Sequence, residues 1–191
     1  MLNKEGLKTV VNDLAVITAE EWDYFESRLK YKIIEKKESL LQRGQVENHL
    51  SFINKGAVRI FVPKPRQDLT FGFLFENEFV SAYDSFLKRS PSDYTISTLA
   101  PTSVWQISYD DLQDVYNNTQ IGDLIGRKMA EKMFLIKAKR EIALLGKTAS
   151  QRYSDLFAER PRLIKDIPLQ YIASYLGVSR ESLSRIRKEK F

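Results

Sequence analysis

Apolar and polar positions along the chain change rhythm twice. Trp22, Phe25 and Leu29 recur at helical intervals behind Thr18-Ala-Glu-Glu21. That tetrad has the spacing of a capping box, in which Thr and Glu each satisfy the other's free backbone N–H. A short amphipathic helix is predicted over about residues 19–29. From Tyr31 to Ile107 the rhythm becomes that of strands: YKIIEKK, HLSFINKG, AVRIFV, LTFGFLF, YTISTL and SVWQI. Gly44, Gly56, Pro63, Pro65, Pro91 and Pro101 punctuate these runs. Short strands so closely spaced predict a compact β-barrel or jelly-roll sandwich. No exact repeat is present.

After Tyr109 the pattern turns helical and stays so. A short helix is expected over Asp110–Tyr116, and the proline-free stretch from Thr119 to about Leu145 allows one long helix. On its helical net Gly122, Gly126, Met129, Met133, Ile136 and Arg140 share a stripe, flanked by Ile125, Lys132 and Ala143. The small residues at 122 and 126 would let another backbone approach. A helix of about 27 residues exceeds what one small barrel can cover, which favours a self-pairing dimer helix. Packing on its own barrel is the competing reading. Gly146 and the polar residues after it read as a hinge.

Composition narrows the chemistry. The 191 residues are 43% hydrophobic and 29% charged, as in ordinary globular proteins. No apolar run is long enough for a membrane span and Met1–Thr18 has no signal-peptide core, so a cytoplasmic protein is expected. Zero Cys excludes disulfides, thiolate nucleophiles and iron–sulfur clusters. The single His, His49, leaves little for metal sites or acid–base triads, and beside an apolar strand it reads as a surface or strand-edge residue. No metal, no cofactor and no enzymatic activity are expected. The net charge is +5, and the last 45 residues hold 10 basic against 5 acidic side chains. Residues 1–146 are therefore neutral, and the excess points to a C-terminal module that meets a polyanion.

That module carries a motif. Leu169–Lys188 reads LQYIASYLGVSRESLSRIRK. In a helix-turn-helix the fifth position must be small because two helices cross there, and it is Ala173. The ninth needs a positive φ to end the first helix, and it is Gly177. The buried corner needs apolar residues, supplied by Ile172, Leu176, Val178, Leu183 and Ile186. Ser179 can cap the second helix, with Glu181 in its first turn. Arg180, Glu181, Ser184, Arg185 and Lys188 then face outward. Arg can grip guanine O6 and N7, Glu can accept from cytosine N4, and basic residues near the helix end can meet phosphates. A helical hairpin with a solvated charged face is the bland alternative.

The stretch TASQRYSDLFAERPRLIKDIPLQYIASYLGVSRESLSRIRK resembles the DNA-binding domain of the Crp/Fnr family of bacterial transcription regulators. Ser179, Arg180, Glu181 and Arg185 match the Ser-Arg-Glu-x-x-x-Arg pattern that opens the family's recognition helix, which implies base reading by Arg180, Glu181 and Arg185. The GQVENHLSFINKGAVRIFV segment looks like the family's strand–loop–strand, with Gly44 and Gly56 at tight turns. The resemblance implies an α+β chain of three parts. Residues 1–117 would form a cyclic-nucleotide-binding-like β-roll effector domain and 118–146 a dimerisation helix and hinge. Residues 147–191 would form a winged helix-turn-helix, truncated because the sequence stops where a wing would follow. The implied partners are a near-palindromic double-stranded operator and a second copy of the chain. RNA polymerase and an unidentified small effector are further candidates, and no membrane is.

The candidate effector pocket departs from the family pattern. Cyclic-nucleotide members carry Gly-Glu near a short helix and Arg-Ser/Thr about ten residues on. Here Asn77-Glu78 stands for the first element, and Ser92-Asp93 falls at the second. Arg89, three residues upstream, could substitute as the cation only if the loop is rebuilt, and Glu78 reads first as a structural residue that closes a turn. Neither cyclic AMP nor cyclic GMP is expected to bind tightly. The competing function is a sensory or scaffold module acting through protein contacts, which would have no physical use for an intact recognition helix.

Overall fold

The computed structural model describes residues 4–120 and 122–190. Met1–Asn3, Ile121 and Phe191, which fall in the expected N-terminal segment, long helix and C-terminal domain, lie outside the described residues. Among the described residues, eight strands form two four-stranded antiparallel sheets. They are β1 (Lys30–Ile34), β2 (Ser39–Leu41), β3 (His49–Lys55), β4 (Ala57–Val62), β5 (Leu69–Phe75), β6 (Phe79–Val80), β7 (Thr95–Thr98) and β8 (Thr102–Ser108). One sheet runs β1-β8-β3-β6 and the other β2-β7-β4-β5. This is the sandwich read from the strand pattern.

Alternation along each strand sends side chains to two cores. Ile53, Val58, Ile96 and Val104 fill the space between the sheets. From the first sheet, Leu50, Phe52, Trp105 and Ile107 point the other way, under a helical layer. That layer holds α1 (Glu5–Leu14), α2 (Ala19–Glu26), α4 (Tyr109–Asn118) and the start of α5 (Gly122–Gly146). Burial on both faces shows in β3 as an unbroken buried stretch, Leu50 to Ile53, with Ser51 buried among the apolar residues. The capping box of α2 forms as its spacing requires, with Glu21 N donating to Thr18 Oγ1 at 3.2 Å. Among the described residues no helix is long and apolar enough to cross a membrane.

Gly56 ends β3 at φ +106°, a backbone conformation that side chains rarely adopt. A Cβ there would sit 2.8 Å from the Pro101 carbonyl and from Thr102 Cα. Gly56→Ala is expected to cost about 1–3 kcal/mol from the backbone alone, with the close approach adding to it. Urea unfolding of the variant checks this, and an unchanged midpoint would refute it.

The long helix α5 spans 25 residues, about 37 Å. It begins later than the proline-free stretch suggests. Thr119 is extended, and its amide and hydroxyl both donate to the Val115 carbonyl to close α4. The expected dimer stripe divides in two. Gly122 abuts Tyr116 and Val115, a Cβ on Gly126 would lie 3.1 Å from the Tyr116 ring, and Met129 is buried in the core. These three residues receive the chain's own α4. The competing packing reading therefore describes the first half of α5. Beyond it Phe134, Leu135, Ile136, Ile142 and Leu145 are exposed. Gly126→Leu should accordingly strain the fold itself, which thermal unfolding would show as a lowered midpoint.

The C-terminal part holds α6 (Ala149–Glu159), α7 (Pro161–Asp166), α8 (Leu169–Leu176) and α9 (Arg180–Lys190). Among the described residues no strand follows Ser108.

Candidate nucleic-acid interface and effector pocket

The α8–α9 corner is built as its residue pattern demands. Gly177 takes φ +72° at the end of α8, where its N–H and that of Val178 close the helix on Ser174 and Ala173 carbonyls. Ala173 and Leu183 are fully buried at the crossing, with Ile172 and Leu176 beside them and Val178 and Ile186 packed at the margin. Tyr153 and Leu156 of α6 and Leu163 of α7 complete this core. Ser179 Oγ accepts from Ser182 N at 3.1 Å and so caps α9.

With that core on one side, α9 turns Arg180, Glu181, Arg185, Arg187 and Lys188 to solvent. Ser184 is half-buried, and Ser179 is exposed with its hydroxyl engaged in the cap. Glu181 has its carboxyl held below the usual range, first by its own backbone N–H and then by the Ser179 hydroxyl. It stands ionised at neutral pH, an acceptor flanked by cations. One helix face thus offers fork-shaped donors and a carboxylate, the groups that discriminate base edges in a major groove.

Three of the four effector-pocket candidates have other engagements. Glu78 sits in the β5–β6 turn, where Oε2 accepts from Phe75 N at 2.7 Å and faces Arg160 at 3.7 Å. Arg89 ends α3 (Tyr83–Lys88) at φ +54°. Its guanidinium donates to the Glu47 carbonyl at 2.7 Å and to Asn48 Oδ1, and lies 4.4 Å from the Tyr109 ring centre. Ser92 is buried, and its hydroxyl donates to the Tyr94 carbonyl within its own turn. Asp93 is exposed. Arg89 and Ser92 flank the loop from Gly44 to Asn48, since Ser92 N donates to the Gln45 carbonyl at 2.9 Å. Among the described residues no hydrogen bond or ion pair joins Glu78 to that loop.

No spacing in the sequence marks the buried residue of this loop, Glu47. Glu47 is buried, and its carboxylate accepts from His49 N at 3.0 Å and Ala82 N at 3.2 Å. Burial pushes its pKa above the usual carboxylate value, with the backbone N–H groups pulling the other way. Because the folded pKa is raised, Glu47's contribution to stability is greatest below pH 4.5 and diminishes as pH rises through the folded value. Carbon-detected titration should find the Glu47 carboxyl changing charge later than exposed glutamates; an ordinary midpoint would refute its burial. His49 is half-buried at the start of β3, held neutral by burial and by Lys32 and Lys30. Among the described residues no group of three or more His, Cys, Asp or Glu could hold a metal ion.

The C-terminal helices are seated on the β4–β5 hairpin. Ser174 of α8 accepts from Thr70 N at 2.8 Å and donates to the Asp68 carbonyl at 2.5 Å. Arg59, 5% exposed, lies between the Phe61 and Tyr171 rings and pairs with Asp68 at 3.1 Å. Arg160 donates to the Phe73 carbonyl, and Phe73 and Phe75 join the core of the C-terminal helices. Nothing in the residue spacing announced these contacts.

Residues 31–119 match the family model of the cyclic nucleotide-binding domain. The chain is similar in structure to CLP, a c-di-GMP responsive global regulator of Xanthomonas campestris, with 18% identity and a TM-score of 0.68 over 90% of this chain and 91% of that one. FixK2 from Bradyrhizobium japonicum gives 18% identity and a TM-score of 0.70 over 84% and 83%. The Catabolite Activator Protein of Thermus thermophilus gives 18% and 0.57 over 91% and 83%. No curated protein sequence matches the chain.

Proposed function

We propose, for a chain whose residues 31–119 form a cyclic nucleotide-binding domain within the fold of the Crp/Fnr regulators, that it is a dimeric, sequence-specific DNA-binding transcription regulator. The observation that carries this reading is α9: a capped helix, locked by a helix-turn-helix corner, with Arg180, Glu181, Arg185 and Lys188 exposed together. Arg180, Glu181 and Arg185 read base edges, and Lys188 meets phosphate. Ser184 adds a short adaptable contact, and Ser179 sets the helix start. The operator is near-palindromic, with half-sites one helical turn apart, about 34 Å. Sequencing the native genomic fragments that the protein retains tests the proposal. Recovery of one shared, two-fold symmetric sequence is expected, and unenriched fragments would overturn it.

Dimerisation uses the second half of α5. Leu135, Ala138, Ile142 and Leu145 recur at the spacing of a coiled-coil seam, and the three large ones are exposed in the single chain. Ile142→Glu would bury a charge in that seam and is expected to yield monomers in sedimentation at micromolar concentration. A dimer unaffected by the substitution would place the interface elsewhere.

The effector pocket is degenerate. Ser92 supplies no charge where a phosphate would need one, and Arg89 is already committed to the Glu47–Asn48 loop and Tyr109. RNA polymerase remains the natural protein partner for such a regulator at its promoter.

A further inference from the structure

The seat between α8 and the β4–β5 hairpin is more specific than cohesion requires. Apolar residues alone would hold two surfaces together, and a buried ion pair adds little stability over well-packed hydrophobes. What buried polar groups add is geometry, since they reward one arrangement and penalise displaced ones. Here they are concentrated. Arg59 donates to Thr70 Oγ1 at 2.8 Å and pairs with Asp68 at 3.1 Å. Its guanidinium is stacked between Phe61 of the β-roll, 4.1 Å away, and Tyr171 of α8, 4.0 Å away. Ser174, one turn further along α8, bonds the Thr70 amide and the Asp68 carbonyl. A slide of α8 by even one residue would strand the buried Ser174 hydroxyl and the Thr70 amide at once and draw Tyr171 away from the Arg59 guanidinium, whose bonds to Thr70 and Asp68 stay within the hairpin.

The seat also leaves the DNA face alone. Tyr171, Ser174 and Tyr175 engage the β-roll, while Ile172, Ala173 and Leu176 face the helix-turn-helix core. The side chains of α9 that would read DNA remain exposed. The docked state therefore fixes the reading helix without covering it. We infer that Arg59, Asp68 and Ser174 are positioning residues that hold the helix-turn-helix at a preset orientation on the β-roll for specific DNA recognition. This rests on the DNA-binding reading above. In a dimer the preset orientation fixes the separation of two α9 helices, so only a site of matching half-site spacing meets both.

The chain has no Cys, which makes site-directed labelling direct. Spin labels go on Lys36→Cys in the β-roll and Lys165→Cys in α7, both exposed, with labelled chains diluted in unlabelled protein. One narrow distance is expected without DNA or ligand. Ser174→Ala, and separately the pair Arg59→Met with Asp68→Asn, should broaden it. The paired change keeps packing between the rings and leaves no orphaned carboxylate. Affinity for the selected operator should fall about threefold to tenfold in both, as the competent orientation becomes a minority state, with affinity for scrambled duplex unchanged. A distribution that stays narrow in both variants overturns the inference, as does a broadened one with unaltered operator affinity. If the unsubstituted protein binds no duplex at all, the regulator reading fails, while the distance distributions still report whether the three residues hold the domains.

Discussion

Arg180→Ala and Arg185→Ala are each expected to weaken binding to the operator by about 1–3 kcal/mol and to relax base preference at one position per half-site. Both side chains stand in solvent on α9, and the corner beneath them is rigid: Leu183 is fully buried and Ser179 caps the helix start. Arg185 makes only a long 3.5 Å approach to Ser182 Oγ, so little is lost when it turns toward a base. A forked guanidinium on guanine forms two hydrogen bonds that no other base pair reproduces, hence the loss of discrimination along with affinity. Lys188→Ala should behave differently. It should weaken operator and scrambled duplex alike and lower the salt slope by about one, as expected of a phosphate contact. Titrations on both duplexes at two salt concentrations separate these outcomes. Unchanged operator affinity in both arginine variants would remove α9 from the major groove.

How much could be read from residues alone follows the range over which each constraint acts. The α8–α9 corner is dictated within about 20 residues, and Ala173, Gly177, Leu176 and Leu183 take the places their types require. The strands β3, β4, β5, β7 and β8 coincide with the apolar runs because each buries at least one face, and β1 coincides with YKII although only Ile34 is buried there. The strands β2 and β6 are only three and two residues long and carry no periodicity to read. Helix α1 shows apolar Leu7, Val11 and Leu14 at helical spacing, but its N-cap residue, Lys4, makes no side-chain cap, so no boundary announces it. In α5 apolar residues lie around much of the circumference, and spacing cannot tell which face turns inward. Tyr116 decides it by filling the groove that Gly122 and Gly126 leave. The seat of α8 on the hairpin joins residues 104 and 106 positions apart, and no local pattern encodes such a meeting. Asn77-Glu78 illustrates a related limit. A Glu close to a short helix suits a ribose hydroxyl, but here it precedes α3 by a strand and bonds its own turn.

Cyclic AMP and cyclic GMP are expected to bind too weakly to regulate this protein, although residues 31–119 match the family model of the cyclic nucleotide-binding domain. A cyclic phosphate taken out of water needs a fixed cation, and a buried guanidinium meets it with two parallel charge-assisted bonds. The loop position that would supply the cation holds Ser92, whose hydroxyl is spent on Tyr94, and its neighbour Asp93 adds negative charge at the surface. Losing an arginine–phosphate pair costs about 4 kcal/mol, roughly a thousandfold in affinity. Arg89 does not restore it freely. To reach a phosphate it would have to release the Glu47 carbonyl, Asn48 and the Tyr109 ring together. Release would also remove the guanidinium from beside buried Glu47, whose carboxylate burial already disfavours. Pro91 bridges to Val46 and stiffens the same turn. Calorimetric titration with each nucleotide to millimolar concentration decides the matter. No saturable heat is expected below about 10 μM. Saturation there would mean that the loop rebuilds around the ligand, and Arg89→Ala would then abolish binding; retention of binding in that variant would assign the phosphate to another cation altogether.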